Sequence, residues 1–221
     1  ALARRAHTPY GTPSTCCVNP ELLLATRMSL MREGIPQVRV STVVNFPDGG
    51  GDADRAERET RRAVAVGADE INLQFPAQTF AAGQRAGAQE LVLRVKARCG
   101  KTGLKVILDC ASFVDDDALR AAAEAAIGGG ADFLMLSVRG KGNVDLMNFR
   151  AVSAAVADSG RAIGVAVFGA ISSPAQASAY ISLASELFGR ERLAPARFRI
   201  ASNALLDPLL PVLAAEPFDE D

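Results

Sequence analysis

The chain has 221 residues, 49% of them hydrophobic and 22% charged, with a formal net charge of −1. This size and composition predict one domain, spanning residues 1–221, with enough apolar material for a buried core. The near-neutral charge with interspersed signs argues against a nucleic-acid partner, and the apolar stretches fall short of the roughly 20 residues of a membrane-spanning helix.

Predicted strands and helices alternate along the whole chain. After a mobile start and a loop at 8–13, we expect strands at 15–18, 38–47, 70–75, 104–110, within 130–142, at 162–168 and at 198–201. The helices between them are expected at 21–33, 53–66, 86–99, 115–127, 145–158 and 174–188, with a last one from 205. An acidic tail follows, which we expect to fray.

Such alternation is typical of a parallel sheet covered by helices. No strand is followed by a full GxGxxG turn, so closure into a TIM (β/α)8 barrel is favoured over an open doubly wound sheet. Seven strands are clear, and an eighth is left open.

The stretch 130–142 carries the strongest site signal. An apolar run ends in Ser137, and a loop with Arg139, Gly140 and Lys141 follows. Backbone N–H groups and two cations suit a phosphate or a carboxylate. A solvated basic loop is the alternative reading.

Cysteine and histidine usage argues against metal and disulfide chemistry. The four cysteines form no CxxC pair and His7 is the single histidine, so we expect no metal site and no cofactor. Free thiols favour a reducing cytoplasm. Cys17 and Cys110 are expected to be small buried hydrophobes, since no histidine stands nearby in sequence to activate them.

Several phrases, in order, resemble the deoxyribose-phosphate aldolase family of class I aldolases on TIM barrels. They are Thr8-Pro9-Tyr10-Gly11, Cys17-Val18-Asn19-Pro20, Val43-Val44-Asn45-Phe46-Pro47, Gly67-Ala68-Asp69-Glu70, Phe75-Pro76, Leu104-Lys105-Val106-Ile107, Gly130-Ala131-Asp132-Phe133, Glu186-Leu187-Phe188-Gly189 and Arg199. The likeness covers about residues 8–206. The family's opening segment, with a first helix and an acidic and a hydroxyl residue, has no counterpart before Ala1. Because dimers are common in that family, the resemblance leaves a homodimer open.

The positions that correspond to the family's catalytic residues carry other residues here. The Schiff-base lysine corresponds to Met135, the second lysine to Ala166 and the acidic residue to Asn72. A class I aldolase needs a neutral lysine amine to form its iminium, and methionine has no such nitrogen. The resemblance therefore implies a family member that has lost Schiff-base catalysis, with Met135 as a core filler.

The family's phosphate site is altered as well. Its Gly-Gly pair corresponds to Gly169-Ala170, and its Ser-Ser pair corresponds to Asn203-Ala204, with Ser202 one position earlier. Gly140-Lys141 does resemble the family's Gly-Lys. Whether phosphate binds here stays open.

Strand alternation sends Lys105 and Asp109 to one face, which the resemblance makes the barrel interior. We expect a buried ion pair between Lys105 and Glu70 in preference to a relocated Schiff base. Asp109 stands higher, at the rim, where it would either contact a ligand or cap a helix.

These expectations combine into a rim pocket that binds a small molecule. Its predicted lining is Asn45, Asn72, Gln74, Asp109 and Ser137, with Arg139 and Lys141. The leading hypothesis is an enzyme that does acid/base work on a small polar metabolite without an imine, with Asp109 as proton carrier and Asn72 as orienting group. The alternatives are a catalytically silent binding or scaffold protein, and an active aldolase that uses a relocated lysine such as Lys105.

Overall fold

Seven parallel strands, each followed by a helix, form one sheet in the computed structural model, which describes residues 2–138 and 142–215. The strands are β1 (Thr15–Val18), β2 (Arg39–Val44), β3 (Glu70–Gln74), β4 (Gly103–Asp109), β5 (Phe133–Ser137), β6 (Gly164–Phe168) and β7 (Phe198–Ala201). The helices are α1 (Leu2–Ala6), α2 (Leu23–Arg32), α3 (Ala53–Val66), α4 (Ala77–Ala81), α5 (Arg85–Cys99), α6 (Asp116–Gly128), α7 (Leu146–Asp158), α8 (Pro174–Phe188) and α9 (Leu206–Ala215).

The strands pair in chain order, and every pairing is parallel. This is the order of a TIM-like barrel, so the predicted fold class is confirmed. β1 and β7 are the first and last strands of this order in the described chain. The eighth strand that the sequence left open is not among the described residues.

Short polar residues fix where the helices begin. The Asp52 side chain accepts a hydrogen bond from the Arg55 N–H at 2.9 Å, and Asp115 accepts one from the Ala118 N–H at 2.8 Å. Each satisfies a backbone donor that the first helical turn leaves without a partner. Gly67 closes α3 in the left-handed region, at φ 95°. Both helix starts lie within one residue of the predicted ones.

The core has two parts because strand side chains alternate between two faces. Most buried apolar residues, including Leu134 and Leu136, belong to one large cluster between the sheet and the helices. A second, smaller cluster lies on the opposite face of the sheet, inside the barrel. Its members are Ile107, Phe133, Met135 and Ala166, with Val43 packed against them.

Two short helices were not predicted. The expected mobile start contains α1, which buries Ala3 and Ala6 and whose Arg5 pairs with Asp207 of α9 at 2.7 Å. α4 follows β3, and its Phe80 packs edge-on against Phe75 with ring centroids 5.5 Å apart. Both helices have five residues, too few for an amphipathic period to show in the sequence.

Among the described residues, none of the helices is both long and apolar enough to cross a bilayer.

Candidate functional site

Met135 lies in the middle of the barrel interior. Its strand neighbours in register are Ile107 of β4 and Ala166 of β6, and it joins both in the interior apolar cluster. The side chain is 8% exposed. The structure therefore places a thioether, and not an amine, at the centre of the barrel interior.

Below this apolar level, towards the amino ends of the strands, charged side chains form a cluster, which we call the base cluster. It consists of Glu70, Lys105 and Arg199, whose side chains are at most 10% exposed, and of Arg39, whose side chain is 57% exposed. Arg199 donates from Nη1 to both Glu70 oxygens, at 2.7 and 2.9 Å, and Arg39 donates to Oε1 at 3.0 Å. Lys105 donates to Oε2 at 3.2 Å, which is the ion pair expected from the sequence.

The base cluster changes the pKa values of its members. Burial acts to raise the pKa of Glu70, but Lys105, Arg199 and Arg39 outweigh it and hold that pKa below the ordinary value. Burial lowers the pKa of Lys105, and the Arg199 guanidinium lowers it further, against the opposing effect of Glu70. Both cations also lie over the Phe133 ring, at 4.5 Å for Arg199 and 5.6 Å for Lys105.

Asn72 lies level with Lys105 in the strand register, not at the barrel mouth. Its Nδ2 donates to Cys17 Sγ and to Ser41 Oγ, both at 3.2 Å. Its Oδ1 is buried and has no hydrogen-bond partner in the described chain. Four residues of β4 separate this level from Asp109, a distance of about 13 Å. The positions of the two residues therefore do not support the prediction of Asp109 as proton carrier with Asn72 as orienting group at the same site.

Asp109 and Ser137 meet at the carboxyl end of the sheet. They are register partners on β4 and β5, and Asp109 is 5% exposed. Ser112, in a 3₁₀ turn directly after β4, donates from Oγ to Asp109 Oδ2 at 3.0 Å. Gln74 is also buried, and it ends β3 opposite Ile107. Asp109 and Ser137 are thus the predicted lining residues that the structure places at the top of the barrel interior, and Gln74 lies one level below them, beside Ile107.

Asn45 holds a loop instead of facing a ligand. Its Nδ2 donates to the carbonyl oxygens of Gly50 at 2.9 Å and Gln74 at 3.1 Å, and its Oδ1 accepts from Arg55 Nη2 at 2.6 Å. The residue is fully buried and has φ 55°. Its side chain is committed to the turn between β2 and α3, so the expectation that it lines the pocket is corrected.

The candidate phosphate residues after β6 and β7 already have internal partners. The Gly169 N–H donates to the Ala201 carbonyl at 3.4 Å, and the Ala170 N–H donates to Gly142 at 3.3 Å. Ser202 Oγ donates to the Ile171 carbonyl at 2.6 Å. Asn203 is exposed beside them. Arg139, Gly140 and Lys141 lie outside the described residues.

Two features of the interior were missed from the sequence. Arg199 was noted as a family-like residue, but its bond to Glu70, 129 positions away in the chain, becomes visible only in three dimensions. Cys17 was expected to be buried, yet it is exposed, because it lies on β1 at the end of the strand order. Within the described residues, no group of three or more His, Cys, Asp or Glu is placed to hold a metal ion.

Comparison with known proteins agrees with the fold and the motifs. A family model described as DeoC/LacD family aldolase matches residues 1–155. The chain is similar to an apo structure of a provisionally assigned deoxyribose-phosphate aldolase from Toxoplasma gondii, with a TM-score of 0.88 and 24% identity over 98% of this chain and 88% of that one. A deoxyribose phosphate aldolase from Aeropyrum pernix, described as a tetramer, gives a TM-score of 0.67 and 18% identity over 90% and 76%.

Proposed function

Because this chain belongs to the DeoC/LacD aldolase family, we propose that it is a barrel protein of that family which acts on a small polar metabolite without a lysine imine. The observation that carries the proposal is the interior apolar cluster around Met135. Covalent capture of a carbonyl requires an amine at this level, and Met135, Ile107 and Ala166 supply none.

The proposed proton carrier is Asp109. A carboxylate at the carboxyl end of a barrel strand can take a proton from a bound substrate and return it at another atom. Ser112 Oγ fixes one carboxylate oxygen at 3.0 Å, and Ser137 stands beside it in the register. In this proposal Ser137 and Gln74 orient the ligand, while Asn72 belongs to the deeper level, where it donates to Cys17 and Ser41.

A test of this function follows proton exchange. The protein is incubated in D₂O with a panel of sugar phosphates and hydroxy acids, and deuterium uptake next to a carbonyl or hydroxyl carbon is followed by NMR. We expect uptake in at least one compound with the wild-type protein, and its loss in Asp109→Asn with ligand affinity retained. Ser112→Ala, which removes one hydrogen bond to the carboxylate, is the matched control and should only slow the exchange.

Absence of exchange in the whole panel, together with a thermal shift produced by one of the compounds, would contradict the proposed chemistry. It would favour the catalytically silent binding protein. The internal partners of the Gly169 and Ala170 N–H groups fit that alternative, because those donors are already engaged.

A second candidate, an aldolase that uses Lys105, is favoured by one observation. Burial and the neighbouring Arg199 lower the pKa of Lys105, which is the condition that makes a lysine amine nucleophilic. Sodium borohydride added with 2-deoxyribose 5-phosphate, followed by peptide mass spectrometry, separates the two candidates. Our proposal predicts an unmodified protein, and a reduced adduct on Lys105 would establish the second candidate in its place.

A further inference from the structure

The last residue of β6 is an aromatic residue on the interior side of the barrel. Along this strand, Val165 and Val167 belong to the large cluster between the sheet and the helices, whereas Ala166 belongs to the interior cluster. Because strand side chains alternate, Phe168 lies on the same side as Ala166. Phe168 is 38% exposed, whereas Met135, one level deeper, is 8% exposed. The Phe168 ring is therefore not covered as the interior cluster is.

Phe168 shares a level of the sheet with the residues proposed for the reaction. It is the register partner of Ser137 on β5, and Ser137 is the register partner of Asp109 on β4. Its partner on β7 is Ala201, whose side chain is a single methyl group. Neighbouring strands lie about 4.8 Å apart, so the Cα atoms of Asp109 and Phe168 are about 10 Å apart. This distance leaves room for a short carbon chain between the carboxylate and the ring.

The hydrogen-bond donors that follow the ring already have partners. The Gly169 and Ala170 N–H groups donate to backbone carbonyl oxygens. Ser202 Oγ donates to the Ile171 carbonyl and accepts from the Ala204 N–H at 3.0 Å. These donors therefore do not favour an anionic group beside Phe168, whereas the face of an aromatic ring favours an apolar one.

Exposed apolar side chains also lie on other connections at this end of the sheet. Phe46, directly after β2, is 54% exposed, and Val114, between β4 and α6, is 91% exposed. Single exposed apolar residues are common on protein surfaces. Sites for small organic ligands, however, combine apolar and aromatic side chains with a few polar groups, and barrel mouths are a frequent location for them. Phe168 with Asp109 and Ser137 is such a combination.

We propose that the barrel mouth binds an uncharged hydroxyketone or hydroxyaldehyde that carries an aryl or branched alkyl group, and that this group packs on Phe168. The inference rests on the function proposed above and names the chemical class of its substrate. The hydroxyl and carbonyl end lies at Asp109 and Ser137, because a hydroxyl can donate to the carboxylate, whereas an anionic end would be repelled by it. Contact with the Phe168 ring adds affinity at the other end of the molecule.

Two probes that differ only in the apolar group test the proposal. They are hydroxyacetone and its derivative with a benzyl group on the methyl carbon, and their dissociation constants for the full chain are measured by NMR titration. We expect the benzyl derivative to bind at least about tenfold more tightly to the wild type. Phe168→Ala should bring the two constants within about twofold of each other, and Phe168→Leu should keep an intermediate difference.

Leu93→Ala is the matched control. It truncates an apolar residue of α5 that is 49% exposed and lies outside the barrel interior, so the ratio of the two dissociation constants should stay at its wild-type value. Phe168 is itself partly exposed, and circular dichroism should show that its variants are folded.

Three results of the titrations would overturn the apolar subsite. They are equal affinities of the two probes for the wild type, no binding of the benzyl derivative, and a difference that Phe168→Ala leaves intact. Tighter binding of 2-deoxyribose 5-phosphate than of the benzyl derivative would overturn it as well, because the mouth would then prefer an anion to an apolar group.

Deuterium uptake in D₂O, followed on the same samples, separates this inference from the proposed reaction. An affinity difference that depends on Phe168, without uptake, supports the apolar subsite and contradicts the reaction. Uptake with equal affinities of the two probes supports the reaction and contradicts the subsite.

Discussion

At the scale of single residues, the side chain at position 135 decides which chemistry the barrel interior offers. Met135 is flexible and apolar and fills the space between Ile107 and Ala166 without a polar atom that needs a partner. An amine at the same position would stand in an apolar environment, where the charged form is disfavoured. A methionine at position 135 therefore offers neither a nucleophilic amine nor a buried charge.

Met135→Lys introduces an amine, and its charge, into the apolar interior. We expect the free energy of unfolding to fall by about 3 kcal/mol at pH 7, because a charged amine is buried without a designed partner. The introduced amine has a lowered pKa in the folded protein, so the loss should shrink as pH rises towards 10. Urea denaturation at several pH values measures this. Met135→Leu conserves volume and should cost less than about 1.5 kcal/mol. Equal losses in both variants would show that packing, not charge, decides the site.

Glu70 makes a second prediction about pH. Its pKa is lower in the folded protein than its ordinary value of 4.5, so the unfolded chain binds the proton more tightly. Its contribution to stability is therefore fully present above about pH 4.5 and is lost as the pH falls through the folded value. Glu70→Gln leaves Lys105 and Arg199 buried without their carboxylate and should cost about 3 to 5 kcal/mol at neutral pH. Acid titrations of stability should then show the difference between the two proteins shrinking below pH 4. A constant difference would contradict this account.

At the scale of elements, the turn between β2 and α3 is organised by one residue. Asn45 bonds to the carbonyl oxygens of Gly50 and Gln74 and to the Arg55 guanidinium, and its own N–H donates to Glu59 Oε2 at 2.6 Å. Asparagine tolerates a positive φ better than most residues with a side chain. The side-chain amide of Asn45 thus fixes the shape of the turn, and the helix after the turn begins at the Asp52 cap.

Two substitutions of Asn45 separate the contribution of its side-chain hydrogen bonds from that of its backbone conformation. Asn45→Ala removes three side-chain hydrogen bonds and places a Cβ in the left-handed region, so we expect a loss of about 2 to 4 kcal/mol and faster hydrogen exchange at 45–52. Asn45→Gly removes the same bonds without the backbone strain and should be less destabilising by about 1 kcal/mol. If the two variants are equally stable, the backbone conformation contributes nothing.

The elements themselves were largely visible in the sequence. Strands such as 198–201 and helices such as 53–66 and 174–188 are found with the predicted bounds, because caps and apolar runs are local signals. The interior was less visible. The alternation of side chains along a strand predicted which residues of β4 face the interior. The depth of Asn72 depends instead on how β3 is registered against β4. Its contacts to Cys17 and Ser41 join three strands and leave no local trace.

At the scale of the whole molecule, the strand order has a beginning and an end in the described chain. β1 and β7 are those two strands, and Arg199 Nη1 of β7 reaches Thr15 Oγ1 of β1 at 3.2 Å. Cys17 lies two residues beyond Thr15 and is exposed, whereas Cys16, on the opposite face of the same strand, is buried. Cys17 faces inward and is nevertheless exposed, because β1 is the first strand of the described order.

Thiol labelling checks this arrangement. In the native protein we expect one of the four cysteines, Cys17, to react rapidly with a disulfide reagent. Burial raises the pKa of Cys99 to about 11 and that of Cys110 to about 12, so both are shielded and protonated at neutral pH. Cys17→Ser should abolish the rapid phase, and denaturation should expose all remaining thiols. Rapid labelling of Cys110 would contradict the described interior.

The apolar level between the mouth and the base cluster also separates the carboxylate at the mouth from the charges at the base of the barrel. Ile107, Met135 and Ala166 interpose a layer of low polarity between Asp109 and the ions around Glu70. A proton gained or lost at the upper carboxylate lies four residues of β4 from Lys105, and this separation of about 13 Å weakens its electrostatic interaction with the lower charges. Residues at the barrel mouth can therefore be substituted, with a change in ligand specificity, without a change in the base cluster.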